Sequence, residues 1–364
     1  MTVGIARMPA PSPVPVLRVA VHTGAGLTAR LPELTRFAFA NTPAPLSRHP
    51  GWLTVLHEGL GHEVYALEAT TNGAVTGYLP LAFLRSLLFG RFLVSLPYLN
   101  SNGVVASSPD VAEALIAQSV KLAETLRVRY LELRHEQPIE HPALTKTLSS
   151  KVHMRLVLPT STEALWKGFD AKVRNQVRKA EKHDLRVTWG GDELLEPFFA
   201  VLAENMRDLG TPVYGQRLFR EILRGFPEDS ELCVVRTPEG KPIAAAMLLH
   251  GPGITEVPTA SSLRAFNATC ANMLMYRHLL DRAVNRGQTL FDFGRSTVDG
   301  STFRFKKQWG AEPHPANWQY YERSGTVGEM RPDNPRYQRM IRTWQRLPVW
   351  ATRLLGPAIV RGIP

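Results

Sequence analysis

Residues 231–310 read ELCVVRTPEG KPIAAAMLLH GPGITEVPTA SSLRAFNATC ANMLMYRHLL DRAVNRGQTL FDFGRSTVDG STFRFKKQWG. Glu231 to Arg236 and Ile243 to His250 are apolar runs of strand length around Pro238-Glu-Gly240, which predicts a hairpin. Glu256 to Leu263 reads as a third strand. Ala271 to Arg286 has the apolar spacing of a helix. Leu290 to Phe293 is a short strand, and Ser301 to Trp309 a short helix closed by Gly310. Three strands, a helix, a strand and a helix in that order predict a mixed α/β sheet.

Working outward, Met154 to Leu158 reads as a strand. Thr160 to Phe169 is a helix capped by Thr160 or Ser161, with Glu163 placed for a capping box. Ala171 to Lys182, Asp192 to Leu209 and Tyr214 to Phe226 are helical, and Leu185 to Trp189 is a strand. The first half repeats this pattern more loosely. Leu17 to Val21 is a strand, Ala29 to Phe39 a helix, and Trp52 to Leu56 either. Glu63 to Thr70 and Ala74 to Pro80 form a hairpin at Asn72-Gly73. Phe92 to Leu96 and Tyr130 to Leu133 are strands on either side of a helix from Asp110 to Arg127. The residues themselves show no repeat, but two similar α/β units account for the length. The expected division is a flexible start (1–16), a first unit (17–150), a second unit with the main site (151–325) and a basic amphipathic tail (326–364).

The chain has 364 residues, 44% of them apolar and 21% charged, enough for two packed cores. Its net charge of +11 and pI of about 9.9 favour anionic partners without choosing among them. Two scattered cysteines, Cys233 and Cys270, make neither a disulfide framework nor a metal cluster, and a cytoplasmic setting fits them. Cys270, at a helix start, is either a nucleophile or a small buried thiol. The apolar stretch Tyr78 to Tyr98 contains Arg85 and Arg91. It reads as two strands and a turn, or as a loop that touches a membrane, rather than as a span. The tail from Arg331 to Pro364 has seven arginines and one aspartate. Tyr337, Met340, Ile341, Trp344 and Leu347 recur there at helical spacing, followed by Trp350, Leu354 and Leu355. This face can pack on the protein's own body, lie on an anionic membrane, or meet a protein or nucleic-acid partner.

The densest polar signal is Asp292 to Gly310. Glycines 294 and 300 bracket a loop able to turn N–H groups toward an anion, with Arg295, Arg304, Lys306 and Lys307 around it. Lys306 shares a face with Phe303 and can meet a developing oxyanion. The alternative is a solvated basic helix with Phe303, Phe305 and Trp309 buried. Arg174 and Arg178, four apart, form a stripe that either holds phosphates or is solvated. Tyr276 and His278 can move a proton or simply pack. Tyr98 and Asn100, in Ser95 to Gly103, can contact substrate across a cleft or belong to a plain surface loop. There is no GxGxxG after a strand, no Walker loop, no HExxH, no paired CxxC and no GxSxG turn.

SLPYLNSNG (95–103), KVRNQVRKAEKHDLRV (172–187), SSLRAFNATCANMLMYRHLLDRA (261–283) and DFGRS with STFRFKKQWG (292–310) resemble the Fem-type branch of the acetyltransferase-like superfamily. In order and spacing they are most similar to FemAB-related proteins of exosortase/PEP-CTERM and exopolysaccharide systems, from about residue 50 onward. The resemblance implies tandem GNAT-like acyl-CoA N-acyltransferase folds with a cleft between or beside them. It implies transfer of an acyl group from acyl-CoA or aminoacyl-tRNA to an amine of a cell-envelope, peptidoglycan or exopolysaccharide precursor, small or lipid-linked, with no tightly bound cofactor. It assigns the acyl-donor end to Phe305-Lys306 before Trp309-Gly310, and phosphate contacts to Arg174 and Arg178. Asp292 is then a base, or an anchor paired with Arg295 or Arg304. The long coiled-coil insertion of some peptidoglycan enzymes is absent. So is the Arg/Gln-x-x-Gly-x-Gly/Ala loop of ordinary acetyl-CoA enzymes, so neither donor is singled out. Two rival readings remain: a non-catalytic scaffold of an exopolysaccharide or protein-sorting system, and an RNA-binding protein.

Overall fold

The computed structural model describes residues 16–40, 42–324, 327 and 335–364, with side chains described from 338 in the last segment. In the first half, β1 (Leu17–His22) leads to α1 (Gly24–Ala38) and α2 (Trp52–Leu60). A meander follows: β2 (Glu63–Thr71), β3 (Ala74–Ser86), β4 (Gly90–Val94) and the short β5 (Val105–Ala106). Then come α3 (Pro109–Thr125), β6 (Tyr130–His135) and β7 (Lys146–Val157). The second half contains α4 (Thr162–Gly168), α5 (Ala171–Glu181), β8 (Arg186–Gly190), α6 (Leu195–Leu209) and α7 (Gln216–Gly225). It continues with β9 (Ser230–Arg236), β10 (Pro242–Gly251), β11 (Ile254–Ser262), α8 (Ala271–Asn285), β12 (Leu290–Thr297), α9 (Ser301–Lys307) and β13 (Glu312–Glu322). The tail supplies α10 (Pro335–Arg346) and α11 (Val349–Val360).

All strands join one sheet in the order β1-β2-β3-β4-β6-β13-β7-β12-β11-β10-β9-β8, with β5 beside β3. The order shows a repeat that the residues conceal. Each half has four antiparallel strands, two helices between the first and second strand, and a helix that crosses to a parallel fifth strand. The parallel pairs are β4 with β6 and β11 with β12. The last strand of each half is exchanged. β7 pairs with β12, and β13 pairs with β6. The expected division at 150/151 falls inside β7.

Local chemistry explains the elements. Ser108 caps α3 by accepting from the Val111 N–H, Pro109 occupies its first turn, and Val111, Leu115 and Ile116 turn inward. Strand β10 is covered on both faces. Ala245, Met247 and Leu249 enter one core, while Ala244, Ala246 and Leu248 enter another. The first core is common to both halves, joining Trp52 and Leu56 of α2 to Phe198 and Leu202 of α6 and Phe219 of α7. The opposite face has separate cores, one under α3 and one under α4, α5 and α8.

Two sequence expectations need correction. β7 begins at Lys146 rather than Met154, and β13 was not foreseen. In the tail, the docked face is mainly Ala351, Thr352, Gly356 and Val360, whereas Met340, Trp350, Leu354 and Leu355 are exposed. The Tyr337 side chain lies outside the described residues. The described tail rests on the body. Arg353 meets Glu196 at 3.0 Å, Leu347 O accepts from Arg207, and Arg361 O accepts from the Tyr98 hydroxyl. Among the described residues no helix is long and apolar enough to cross a membrane.

Candidate active site

β11 and β12 run parallel only from Ile254↔Leu290 to Glu256↔Asp292. Beyond that point β12 keeps only β7 as a neighbour and the pair opens. Gly294 sits at the opening with φ +77, and a Cβ there would stand 3.0 Å from Asn100 Nδ2. Glycine is therefore needed both for its backbone and for the close approach of the first half's loop.

Lys306 reaches this opening from α9. Its Nζ donates to the carbonyls of Gly294 and Arg295, each at 3.0 Å. An ammonium has three N–H groups, so one remains for a ligand. The side chain is buried, and burial lowers its pKa to about 8; the charge of Asp292 opposes that shift and the charge of Arg295 adds to it. Phe303 shares the inward face, as its spacing suggested. Phe305 packs on Tyr276, ring centroids 5.0 Å apart.

Asp292 has both oxygens engaged. Oδ1 accepts from the Gly294 N–H at 2.7 Å and Oδ2 from Arg155 Nε at 2.8 Å. Neither Arg295 nor Arg304, the partners expected from sequence, takes it. Arg295 lies over the ring of Trp318 at 3.5 Å and faces Asn100 Oδ1 at 3.4 Å. Arg304 donates to the Asp299 carbonyl at 2.6 Å. Arg155 also grips Glu136 with both terminal nitrogens, at 2.9 and 2.5 Å. Burial pushes the Glu136 carboxyl up, but the Arg155 bonds outweigh it and hold the pKa at about 2.

Arg295 carries a charge with no carboxylate bound to it. Burial brings its pKa down to about 9, helped by the neighbouring Arg134 charge, so it remains a cation at neutral pH. Arg134 stacks on the same Trp318 at 3.9 Å and is paired with Glu132. One strand away, Glu256 is fully enclosed and accepts from the Ser47 N–H and hydroxyl, both at 2.9 Å. Burial first, then the charge of Asp292, raises its pKa to about 7.

Sequence reasoning named Lys306, Asp292, Arg295 and Asn100, which gather at the opening, and Phe305, which packs instead on Tyr276 in the core under α8. It missed Arg155, Glu136, Glu256, Arg134 and Trp318, which arrive from distant segments. The other named residues stand apart. Arg174 donates to the carbonyls of Lys167 and Phe169, which ends α4. Arg178 lies over Trp166. Tyr276 is walled in by Phe293, Phe305 and Trp309, and burial raises its hydroxyl pKa. Tyr98 is tied to His62 Nε2 and to the Arg361 carbonyl, both at 3.0 Å. His278 is half-buried on α8, and Cys233 is a buried thiol with a raised pKa. Cys270 precedes α8 and lines a cavity of about 160 Å³ with Gln176, Asn267 and Asn272.

A sheet built from two four-strand meanders, each opening beside a parallel fifth strand, is a tandem GNAT-like acetyltransferase fold. The family described as "Acetyltransferase (GNAT) domain" matches residues 167–307. The crystal structure of FemX superposes with a TM-score of 0.62 at 15% identity, covering 85% of this chain and 98% of that one. A tandem GNAT protein from the clavulanic acid biosynthesis pathway gives 0.53 at 12%, covering 86% and 100%. L-PGS from Bacillus licheniformis gives 0.52 at 12%, covering 89% and 96%. No curated protein sequence matches the chain. At these identities the structural likeness establishes the fold.

Proposed function

We propose that the chain is an N-acyltransferase or aminoacyltransferase. It moves an acyl group from acyl-CoA or aminoacyl-tRNA onto an amine of a cell-envelope, peptidoglycan or exopolysaccharide precursor. The observation that carries this reading is Lys306, a buried ammonium with one N–H unspent, held where β11 and β12 part. The acceptor amine attacks the donor carbonyl and a C–N bond forms. The carbonyl oxygen takes the charge beside Lys306, as an oxyanion stabiliser requires. The C–S or C–O bond then breaks, and the proton lost by the amine balances the one gained by the leaving group. Asp292 and Arg155 fix the loop that carries the two carbonyls, so Asp292 acts as an anchor rather than a base. Arg295 offers a positive surface to an anionic acceptor. The cavity at the start of α8, lined by Gln176, Asn267 and Asn272, suits a polar part of the donor, whereas Arg174 and Arg178 are turned to α4 and do not line it.

The link to exopolysaccharide or PEP-CTERM systems rests on the sequence resemblance. A lipid-linked acceptor fits the tail, where Trp350, Leu354 and Leu355 are exposed beside Arg339, Arg342 and Arg346. A helix apolar on its outer face and flanked by arginines suits anionic lipid, which supports a peripheral contact at the inner membrane face. Cosedimentation with phosphatidylglycerol vesicles tests this contact. Trp350→Glu with Leu354→Glu is expected to lower binding about tenfold, and unchanged binding contradicts it.

The transfer reading is tested by turnover with acyl-CoA and aminoacyl-tRNA side by side, using amine-bearing envelope precursors. Transfer from either donor supports it. Binding without transfer from both favours the scaffold.

A further inference from the structure

A second cavity, of about 260 Å³, lies in the core common to the two halves. Apart from the hydroxyls of Tyr98, Tyr214 and Thr259, its walls are apolar and include Trp52, Leu202, Phe219, Ile222 and Met247. It adjoins the Lys306 opening along two walls. Tyr98 and Leu99 form one, and the next residue, Asn100, sits against Gly294 and Arg295. Pro258 and Thr259 form the other, directly after Val257, whose carbonyl lies 3.7 Å from a Gly294 Cβ position.

The Tyr98 hydroxyl is bound on two sides, to His62 and to the Arg361 carbonyl. Loop residue Val213 is backed by α11, whose Gly356 packs so closely on it that a Cβ would stand 2.8 Å from Val213 O, and Gly215, after Tyr214, faces Pro357 of the same helix. The tail therefore holds the cavity's rim in place. A mainly apolar space of this kind holds water weakly and disfavours a charged amine. At about 30 Å³ per water-sized group, it accommodates roughly eight methylene-sized groups.

We infer that this cavity receives the aliphatic chain of the transferred acyl group, so that the donor is a medium-chain acyl thioester rather than an acetyl or polar aminoacyl donor. The inference rests on the transfer reading above and narrows its donor. The thioester carbonyl sits at Lys306, and the chain passes through the opened strand pair into the space between α2, α6 and α7. Burial of each further methylene strengthens binding until the cavity is full.

Equilibrium binding of acetyl-CoA, butyryl-CoA, octanoyl-CoA and hexadecanoyl-CoA to the full-length protein tests it. Two variants fill the cavity from different helices, Leu202→Phe from α6 and Ile222→Phe from α7, with thermal melting as the check that each folds. Affinity is expected to rise by about tenfold or more from two carbons to eight, and then to level off or fall at sixteen. Folded variants are expected to lose most of that rise. Equal affinity for acetyl-CoA and octanoyl-CoA overturns the inference and leaves acyl transfer standing. A rise that survives in both variants overturns the cavity assignment. Absence of binding by every thioester overturns the inference, and only a further absence of aminoacyl transfer removes the transfer reading too.

Discussion

At the scale of the residue, the site depends on charges that are buried for a reason. Lys306 carries an ammonium at a cost in burial, offset by two backbone carbonyls. Its depressed pKa of about 8 places a deprotonation within reach of ordinary buffers. Glu256 has the opposite shift, to about 7, because burial and Asp292 disfavour its charge. A group with a raised folded pKa contributes stability that is complete below its unfolded value and is lost as pH rises through the folded one. Relative to wild type, Glu256→Gln is therefore expected to gain stability between pH 5 and pH 8, on the order of 3 kcal/mol. Denaturant unfolding at both pH values checks this, and a difference that does not change with pH contradicts it. Lys306 and Asp292 were legible in the sequence because one short loop and helix carry both. Arg155 was not, since it meets Asp292 across 137 residues through a strand pairing that local patterns do not encode.

At the scale of the element, the strands that were misread are the central ones. β13 begins Glu312-Pro-His-Pro315, and prolines argue against an interior strand. The conflict resolves in the register. β13 meets β6 only from Asn317 onward, so both prolines lie where it has β7 alone as a neighbour. β7 alternates charged and apolar residues too weakly to be seen before Met154. The tail's docking was also only partly legible. Ile341 of the large apolar set does meet the body at Gly210, but Ala351, Thr352 and Gly356 make the buried face of α11, while Met340, Trp350, Leu354 and Leu355 stay exposed. Gly356→Leu puts side-chain atoms into the Val213 backbone. It is expected to free α11 and cost about 1–3 kcal/mol. Faster proteolysis after Pro348 reads this out, and wild-type protection contradicts it.

At the scale of the molecule, two similar units were legible from the order of elements, whereas their interlocking was not. Because β7 and β13 are exchanged and one core spans both halves, neither half contains its own complete sheet. Chemical denaturation is expected to give a single transition by tryptophan fluorescence and circular dichroism, and a separate 151–325 fragment is expected not to fold. Two resolved transitions, or a folded fragment, contradict this. The exchange also explains why the site draws on the whole chain. Lys306 and Asp292 come from the second half, while Asn100, Arg134 and Glu136 come from the first. The most direct test of the account is single-turnover acyl transfer by the wild type and a folded Lys306→Ala variant, followed across pH 6 to 9. The account predicts a loss of about 10²- to 10³-fold in the transfer step at pH 7. It also predicts a wild-type rate that falls as pH rises through about 8. Wild-type transfer by the variant would contradict it.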